Sequence, residues 1–285
     1  MQKRFVDLHV HTTASDGTLN SQEVVEKAIE LGFSAIGIAD HDTAKGLDPA
    51  FDAVKGRVLE IVPAVELSAS EDDSDIHILG YLIDYHNPKF TSVAEKLRQA
   101  RYERGIKMVE KLNELGIGIK MEVVRDIAGG AAIGRPHVAD ALLKGEYVRS
   151  YDEAFARYLG YHAPAYVPKY KLTPKEAIDL IHSVNGLAVF AHPGLVHRDD
   201  LIPKFVELGL DGLEAFHPQQ GYYVTNHYID LAKHYGLLYT GGSDCHGTRK
   251  GKILLGSVKM PYSCLEALRK RREELKKGNQ DNLAV

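Results

Sequence analysis

Residues 4–17 read RFVDLHVHTTASDG, a short apolar run that leads directly into two histidines and an aspartate. An apolar run of this length indicates a buried strand. Because residues i and i+2 of a strand point to the same face, His9 and His11 can both approach one ion. A His-x-His pair taken alone is more often a polar surface pair than a metal site, so the rest of the chain has to decide between the two readings.

Six further apolar runs predict strands that alternate with helical patterns. The first helix is well marked, since Asn20 or Ser21 can cap it, Glu23 follows, and Gly32 ends it. Alternating strands and helices are typical of βα units and a largely parallel sheet, and seven of them indicate an α/β barrel of the (β/α) type. The predicted strands are Arg4–Leu8, Ala35–Ala39, Val58–Val65, His77–Leu82, Leu187–Ala191, Gly212–Phe216 and Leu237–Thr240.

One stretch, residues 95–168, interrupts this alternation with helical patterns and no convincing strand. A helical insertion after the fourth strand is the simplest explanation. We therefore predict two units, a helical insertion domain at residues 95–168 and a discontinuous barrel formed by residues 1–94 and 169–285.

The composition is that of an ordinary globular protein, with 44% hydrophobic and 26% charged residues among 285. The 39 acids and 35 bases give a net charge of −4, so we expect neither duplex DNA binding nor a membrane partner. The two cysteines are too few for a disulfide scaffold, and the chain does not begin with the apolar run of a signal peptide. These features predict a cytoplasmic protein, and no obligate protein partner is evident.

Histidines and acids recur where the other predicted strands end. In parallel βα barrels the active residues gather at the C-terminal ends of the strands, which predicts one shared site; His77 is the exception, since it opens its predicted strand. Imidazole and carboxylate ligands without thiolate suit Mn, Fe or Zn. Nine candidates exceed what one ion takes and fit two or three divalent ions with one bridging carboxylate. They are His9, His11, Asp16, His41, Glu66, His77, His192, Asp244 and His246.

Several other side chains are candidates for substrate binding. Arg135 follows a flexible Gly/Ala run, and its planar guanidinium suits a bidentate phosphate contact, the alternative being a salt bridge to the barrel. Arg98 and Arg101 fall on the apolar face of a predicted helix over residues 95–115, where they either reach a phosphate or cover the edge of the core. Arg104 is expected on the solvated face. The remaining candidates are His137 and His217, each with a structural alternative, and Ser243, which would donate a hydrogen bond near the phosphate.

In the order of its motifs the sequence resembles the PHP (polymerase and histidinol phosphatase) family of metal-dependent phosphoesterases. The motifs are HVH at 9–11, ASDG at 14–17, ADHDT at 39–43, VEL at 65–67, the solitary His77, AHPG at 191–194 and GGSDCHG at 241–247. The resemblance implies a distorted seven-stranded barrel. The insertion and the segment 134–137 are similar to those of the stand-alone nucleoside 3′,5′-bisphosphate phosphatases and 5′-3′ exoribonucleases of this family.

The resemblance also implies a role for each candidate ligand. One ion would be held by His9, His11, Glu66 and Asp244. Glu66 would bridge to a second ion completed by His77 and His192, and a third would be held by Asp16, His41 and His246. A hydroxide on the metals would attack phosphorus, so no serine or cysteine nucleophile is needed. The residues expected to be catalytic are Glu66, Asp244, His192 and Arg135.

The expected activity is hydrolysis of phosphate monoesters of nucleotides, with 3′,5′-bisphosphates, AMP-type molecules or the 5′ ends of short RNA as substrates. Histidinol phosphate is an alternative substrate of the same class. An amidohydrolase-type barrel is an alternative of another class, although such sites often bridge their metals with a modified lysine, whereas the third strand offers Glu66. A non-catalytic binding module is the last alternative, and the complete ligand set disfavours it.

Overall fold

Seven strands enclose a barrel in the computed structural model, which describes residues 4–72, 74–249 and 251–283. One eight-stranded sheet contains these seven strands and a short edge strand, β8, in the order β7-β6-β5-β4-β3-β2-β1-β8. The segment after β7 returns to β1 through a bridge between Val10 and Cys245, which nearly closes the barrel. The predicted α/β barrel is confirmed. The strands are β1 (Phe5–Val10), β2 (Ala35–Ile38), β3 (Glu60–Glu71), β4 (Ser74–Tyr81), β5 (Leu187–Phe190), β6 (Gly212–Phe216), β7 (Leu238–Gly241) and the short β8 (Met260–Pro261).

The strand β4 runs antiparallel to both of its neighbours, which the apolar pattern did not predict. β3 continues to Glu71 instead of ending near Val65, and β4 begins at Ser74. Parallel neighbours need a connection of about a dozen residues or more, so this short link imposes antiparallel pairing. The expectation that His77 opens the fourth strand was therefore wrong. It lies within β4, paired with Ser68, and the reversal of β4 brings it to the same end of the barrel as the other histidines.

The helices of the barrel follow its strands. The first, α1, begins with the expected capping box, since the Asn20 side chain accepts from the Glu23 N–H at 3.0 Å and the Glu23 carboxylate accepts from the Asn20 N–H at 2.8 Å. Among the described residues, no helix combines the length and apolar character that crossing a bilayer requires. The barrel helices are α1 (Ser21–Glu30), α2 (Leu47–Ala53), α7 (Pro174–Ser183), α8 (Pro193–Val196), α9 (Ile202–Glu207), α10 (Tyr222–His234) and α11 (Ser263–Leu283), with a 3₁₀ turn at Asp199–Leu201.

The chain between β4 and β5 is helical and has a hydrophobic cluster of its own. Its long first helix begins at Pro88, earlier than expected; Leu97 in its first half packs into the barrel core, whereas Met108 in its second half packs into the separate cluster. The division of the chain into an insertion at residues 95–168 and a barrel on either side stays a prediction. Residues 1–3 and 284–285 of the predicted barrel lie outside the described residues. The helices are α3 (Pro88–Glu114), α4 (Met121–Ala128), α5 (Arg135–Lys144) and α6 (Tyr151–Ala154), followed by a π-helical turn at Phe155–Leu159.

Candidate metal centre

The carboxylate of Glu66 lies at the centre of a group of histidines at one end of the barrel. Its Oε2 lies 2.9 Å from His41 Nδ1 and 3.2 Å from His11 Nε2. Its Oε1 lies 2.8 Å from His77 Nδ1 and 3.0 Å from His192 Nε2. Each oxygen thus faces a different set of imidazoles, and this arrangement allows one carboxylate to touch two cations.

The structure brings all nine predicted ligands to this end of the barrel. Side chains whose donor atoms lie within 4.8 Å of one another form three sets. The first set is His9, His11, Glu66 and Asp244, the same four that the resemblance implied for one ion. The second set contains the expected trio with one addition and consists of His11, Asp16, His41 and His246. The third set has His41 where His192 was expected and consists of His41, Glu66 and His77.

Three residues of the centre adopt the left-handed backbone conformation, which costs a residue other than glycine about 1–3 kcal/mol. Asp42 has φ 55°, His192 has φ 30° and Asp244 has φ 47°. Each follows a strand at the mouth of the barrel, where the backbone turns sharply. Such a strained conformation persists only where the surrounding structure holds it. The backbone at these three turns is therefore fixed, and so is the direction of their side chains.

The acids and imidazoles of the centre are strongly coupled electrostatically. Burial alone would raise the pKa of Glu66, but the charges of the surrounding histidines, His41 first, hold it well below its ordinary value. Burial disfavours protonation of His11, yet hydrogen bonds with Asp244 and Glu66 raise its pKa to about 10. At His41 the effect of burial exceeds that of the nearby carboxylates of Glu66 and Asp16, and it lowers the pKa to about 4. Glu66 is therefore an ionised carboxylate at neutral pH, which is the form that binds a cation.

The chemistry of the donor atoms fits a divalent cation. Several of them are buried and make no hydrogen bond of good geometry within the described part of the chain, although Glu66 Oε2 and His41 Nδ1 lie 2.9 Å apart. A buried polar atom left in this way costs about 1–3 kcal/mol. The set offers only imidazole nitrogen and carboxylate oxygen, which suit Mn, Fe and Zn. The unpartnered atoms are Asp16 Oδ1, His41 Nδ1, Glu66 Oε2, His77 Nδ1 and His192 Nδ1.

Two buried acids behind the ligands hold them in place. Glu214, in β6, accepts from His9 Nδ1 at 2.9 Å and from the backbone N–H of His192 at 2.8 Å. Asp40 accepts from the Thr12 N–H at 2.8 Å and from the Ser15 hydroxyl at 2.6 Å, which supports the loop before Asp16. Glu214 was not predicted from the sequence, where it is marked only as an acid inside an otherwise apolar strand.

A cleft of about 260 Å³ opens from the centre toward the inserted helices. His41, His77 and His246 line it on the side of the barrel. Cationic side chains dominate the opposite wall and the rim. These are Arg101, Arg104, Arg135, Lys169, Lys171 and Arg249.

Arg135 lies in this cleft, surrounded by aromatic rings. Its guanidinium carbon is 5.2 Å from the ring centre of Tyr161, 5.6 Å from that of Phe155 and 5.9 Å from that of Tyr166. The described residues include no acid within salt-bridge distance of Arg135, so the alternative of a salt bridge to the barrel finds no partner there. The rings orient the guanidinium without neutralising its charge.

The other two predicted arginines differ in position. Arg101 is buried, and its Nε and Nη2 lie 2.7 Å and 2.6 Å from Asp42 Oδ2. Arg98 does not line the cleft; it lies 3.4 Å from Glu95 and reaches the Gly130 carbonyl at 3.5 Å. Only Arg101 is therefore close to the metal centre, and its charge is matched by Asp42.

Four cations of the cleft, Arg104, Lys169, Lys171 and Arg249, were not recognised from the sequence. Arg104, expected on the solvated face, is buried and donates from Nε to the Val167 carbonyl at 2.7 Å, because a step of three residues from Arg101 returns to the same helix face. Burial and the nearby arginines lower its pKa to about 10. Lys169 is half-buried and lies 3.6 Å from Asp42, and burial followed by the charge of Arg101 lowers its pKa to about 7. The sequence feature that could have identified Lys169 is its spacing from Lys171. In an extended segment residues i and i+2 lie on the same face, so both lysines can face the cleft.

The three remaining substrate candidates have structural partners. His137 Nδ1 accepts from the Gly134 N–H at 3.0 Å and so caps α5, and burial lowers its pKa to about 4. His217 Nδ1 accepts from the Gln219 N–H at 3.2 Å, and its Nε2 lies 3.6 Å from Asp244 Oδ2 without a hydrogen bond. Ser243 donates its N–H to Asp7 at 2.8 Å, while its hydroxyl is buried with no partner among the described residues. Substrate contact by these side chains stays a prediction.

Comparison with known proteins adds independent findings. The sequence model of the PHP domain matches residues 7–165. The chain is 33% identical over 247 residues to the 5′-3′ exoribonuclease Rnm of Escherichia coli, with 84% of each chain covered. It is 30% identical over 268 residues to the 3′,5′-nucleoside bisphosphate phosphatase of Chromobacterium violaceum, covering 91% of this chain and 93% of the relative. A solved structure from Bifidobacterium adolescentis, described as a candidate metal-dependent phosphoesterase, matches with a TM-score of 0.86 at 31% identity, covering 93% of this chain and 96% of that one.

Proposed function

The chain belongs to the PHP family of metal-dependent phosphoesterases, and from this membership we propose that its substrates are nucleotides that carry two phosphates. These are nucleoside 3′,5′-bisphosphates and the 5′-phosphorylated ends of short RNA. The observation that carries the proposal is the cationic cleft, which opens directly on four of the candidate ligands, Asp16, His41, His77 and His246. One phosphate would lie at the metal centre and be hydrolysed, while the second would lie in the cleft.

The cations of the cleft outnumber the acids that neutralise them. Arg101 is matched by Asp42, and Lys171 lies 2.7 Å from Asp75. Arg104 and Arg135 have no acid partner within salt-bridge distance among the described residues. A buried guanidinium (Arg104) and a half-buried one (Arg135) without counter-charge suit a doubly charged phosphate, and the planar fork of an arginine can bind two of its oxygens.

The residues that would hold the cations are the nine ligands. We propose two or three ions of Mn, Fe or Zn, with Glu66 shared between positions. His9, His11 and Asp244 would complete one position, and His77 with His192 or His41 another. A third would use Asp16, His41 and His246. When bound, the cations supply charge that makes a water acidic near neutral pH and that balances the phosphoryl oxygens.

The side chains of the protein prepare this chemistry by orientation. The hydrogen bond from His9 Nδ1 to Glu214 leaves His9 Nε2 directed at Glu66 Oε2, 3.4 Å away. Arg135 would bind the phosphate that does not react, and so place the scissile one at the centre. His217 Nε2, beside Asp244, is in position to hold a proton for the leaving oxygen.

The test is a substrate panel assayed with Mn²⁺ and the purified protein. A 3′,5′-bisphosphate and the matching 3′-monophosphate share the scissile ester and differ only in the second phosphate. We expect kcat/KM to be roughly 10- to 100-fold higher for the bisphosphate, the size of a charge-assisted recognition of about 1.5–3 kcal/mol. Arg135→Ala is expected to raise KM for the bisphosphate and to leave the 3′-monophosphate nearly unchanged.

Equal rates on the two nucleotides would contradict the proposal, and so would a higher rate on histidinol phosphate. A dihydroorotate-like amide serves as the control for the amidohydrolase alternative. The names of the two curated relatives refer to RNA and to nucleoside bisphosphates, so they favour the nucleotide substrates over histidinol phosphate and over an amide.

A further inference from the structure

One sector of the mouth of the barrel, here called the open sector, lies outside the cleft. In the described part of the chain, the side chains that line the cleft come from the insertion, from β4 and from the segments after β1, β2 and β7. None comes from the segments after β5 and β6, which carry His192 and His217. These two segments continue into α8 and α10. The metal centre is therefore bordered by the cleft on one side and by the starts of α8 and α10 on the other.

Two consecutive tyrosines occupy the first positions of α10 in this open sector. Tyr222 is 78% exposed and Tyr223 is 87% exposed. Their ring centres lie 5.7 Å apart at an interplanar angle of 77°. Neither hydroxyl has a hydrogen-bond partner among the described residues. Large side chains displayed in this way do not stabilise the fold, and an exposed aromatic pair at the rim of a site indicates binding.

The start of α10 is held rigidly at the mouth. Because α10 follows β6, its first residues lie at the same end of the barrel as the metal centre. With its side-chain amide oriented to satisfy both neighbours, Gln220, just before the helix, donates to the Ala215 carbonyl at 2.7 Å and accepts from the Gly194 N–H at 3.2 Å. Gly194 in α8 approaches so closely that a Cβ atom there would lie 2.7 Å from Gln220 and 3.0 Å from Tyr228. The tyrosines thus project from a preorganised support.

We propose that Tyr222 and Tyr223 form a stacking platform for the nucleotide that follows the scissile phosphate in a single-stranded RNA substrate. This inference rests on the proposed function and deepens it. If the 5′-phosphate occupies the cationic cleft and the next phosphate lies at the metals, the rest of the strand must leave on the side away from the cleft. That side is the open sector, where the two rings are displayed.

Stacking on tyrosine suits this role because every base has an aromatic face, so the platform would accept any sequence. The phenol rings are large and have few rotatable bonds, which limits the entropy lost when a base is bound. A mononucleotide 3′,5′-bisphosphate has no base beyond its scissile phosphate. The platform would therefore distinguish short RNA from bisphosphate mononucleotides without changing the chemistry at the metals.

The experiment compares the double variant Tyr222→Ala/Tyr223→Ala with the unaltered protein on two substrates, a nucleoside 3′,5′-bisphosphate and a 5′-phosphorylated trinucleotide. We expect kcat/KM on the trinucleotide to fall roughly fivefold to hundredfold, the range measured for loss of base–aromatic stacking. Activity on the mononucleotide should stay unchanged. The double variant Tyr222→Phe/Tyr223→Phe should retain activity on both, since stacking does not need the hydroxyl. Tyr147→Ala, a partly exposed tyrosine of the insertion, is the matched control.

A binding measurement separates this inference from the proposed function. The probe is a 5′-phosphorylated dinucleotide with the fluorescent base 2-aminopurine in its second position. Binding to the unaltered protein should quench the fluorescence of this base, and binding to the alanine variant should not. This readout does not depend on turnover. Absence of hydrolysis of every nucleotide would overturn the proposed function, while a loss of quenching in the alanine variant would still support the platform. Equal trinucleotide activity in the two proteins would overturn the platform. An equal loss on both substrates, or a changed oligomeric state in the variant, would also overturn it.

Discussion

At the scale of single residues, the site depends most on Glu66. It is buried, it is ionised because the surrounding histidines lower its pKa, and its two oxygens face different imidazoles. No other acid of the centre contacts as many candidate ligands. The identity of this side chain matters because an amide of the same shape has no charge to place between cations.

We expect Glu66→Gln to lower kcat on the order of 10²–10³-fold and to leave the fold intact, because it removes charge that stabilises neighbouring cations by several kcal/mol. Phosphatase assays, metal content and circular dichroism measure the effects. Glu71→Gln, at the end of the same strand, is the matched control and should behave like the unaltered protein. Near-normal turnover by Glu66→Gln would rule out the bridging role.

Lys169 provides a pH-dependent test of the cleft. Burial and the charge of Arg101 lower the pKa of Lys169 to about 7, so this lysine loses its positive charge as the pH rises through that value. The ratio of kcat/KM for a 3′,5′-bisphosphate to that for the 3′-monophosphate should therefore fall between about pH 6 and pH 9. A group that affects both substrates equally changes both rates by the same factor, so its titration does not change the ratio.

The variant Lys169→Met tests the assignment of this pH dependence. It should show a low ratio that does not change with pH, because it has no charge to lose. A ratio that stays constant in the unaltered protein, or a descending limb that persists in Lys169→Met, would show that Lys169 does not face the second phosphate.

At the scale of elements, the segment after β7 joins the barrel to the inserted helices. Arg249 donates to the Asp16 carbonyl at 2.9 Å and to the Pro136 carbonyl at 3.3 Å, and it forms an ion pair with Asp140 in α5. Asp16 is a candidate ligand, and Pro136 follows Arg135. One side chain therefore links the metal centre to the start of the helix that carries the phosphate-binding arginine.

We expect Arg249→Ala to lower the free energy of unfolding by about 1–3 kcal/mol, because it leaves a partly buried carboxylate and two carbonyls without their donor. It should also raise KM for the bisphosphate more than it lowers kcat, since α5 is less firmly positioned. Denaturant titration and steady-state kinetics measure these changes. Arg198→Ala, which removes a surface arginine paired with Asp200, is the control. An unchanged KM in Arg249→Ala would contradict the linking role.

At the scale of the whole molecule, metal binding and stability are coupled. The candidate ligands come from segments between residues 9 and 246, so cations that join them would hold most of the barrel together. A ligand that binds only the folded state stabilises it by about 2.7 kcal/mol when its concentration is 100 times its dissociation constant. The coupling needs no conformational change, because it follows from mass action.

Addition of Mn²⁺ to chelator-treated protein should therefore raise the melting temperature by roughly 5–10 °C for each ion bound at such an excess. Differential scanning calorimetry with and without EDTA measures this shift, and phosphatase activity should return together with it. The Glu66→Gln variant should show a smaller shift at equal Mn²⁺. A melting temperature that does not respond to Mn²⁺, Zn²⁺ or Fe²⁺ would contradict a metal centre built from these residues.

The sequence by itself determined the local features of this protein. The presence and order of the seven main strands, the capping box at Asn20 and the helical character of the chain after β4 follow from nearest-neighbour preferences and apolar periodicity. The structure agrees with them and changes mainly the bounds of β3 and β4. The candidate ligands were also readable, because histidines and acids that follow strands of a βα barrel converge whatever the lengths of the loops between them.

Only the tertiary structure decided how distant segments meet. The reversal of β4 depends on the short link to β3, and the burial of Arg104 depends on the Val167 carbonyl, far along the chain. The support of His9 by Glu214 and the aromatic surroundings of Arg135 have the same origin. A sequence pattern reports the preference of a residue for its neighbours in the chain. The charge, burial and partner of a side chain in this cleft are set by residues that only folding brings near.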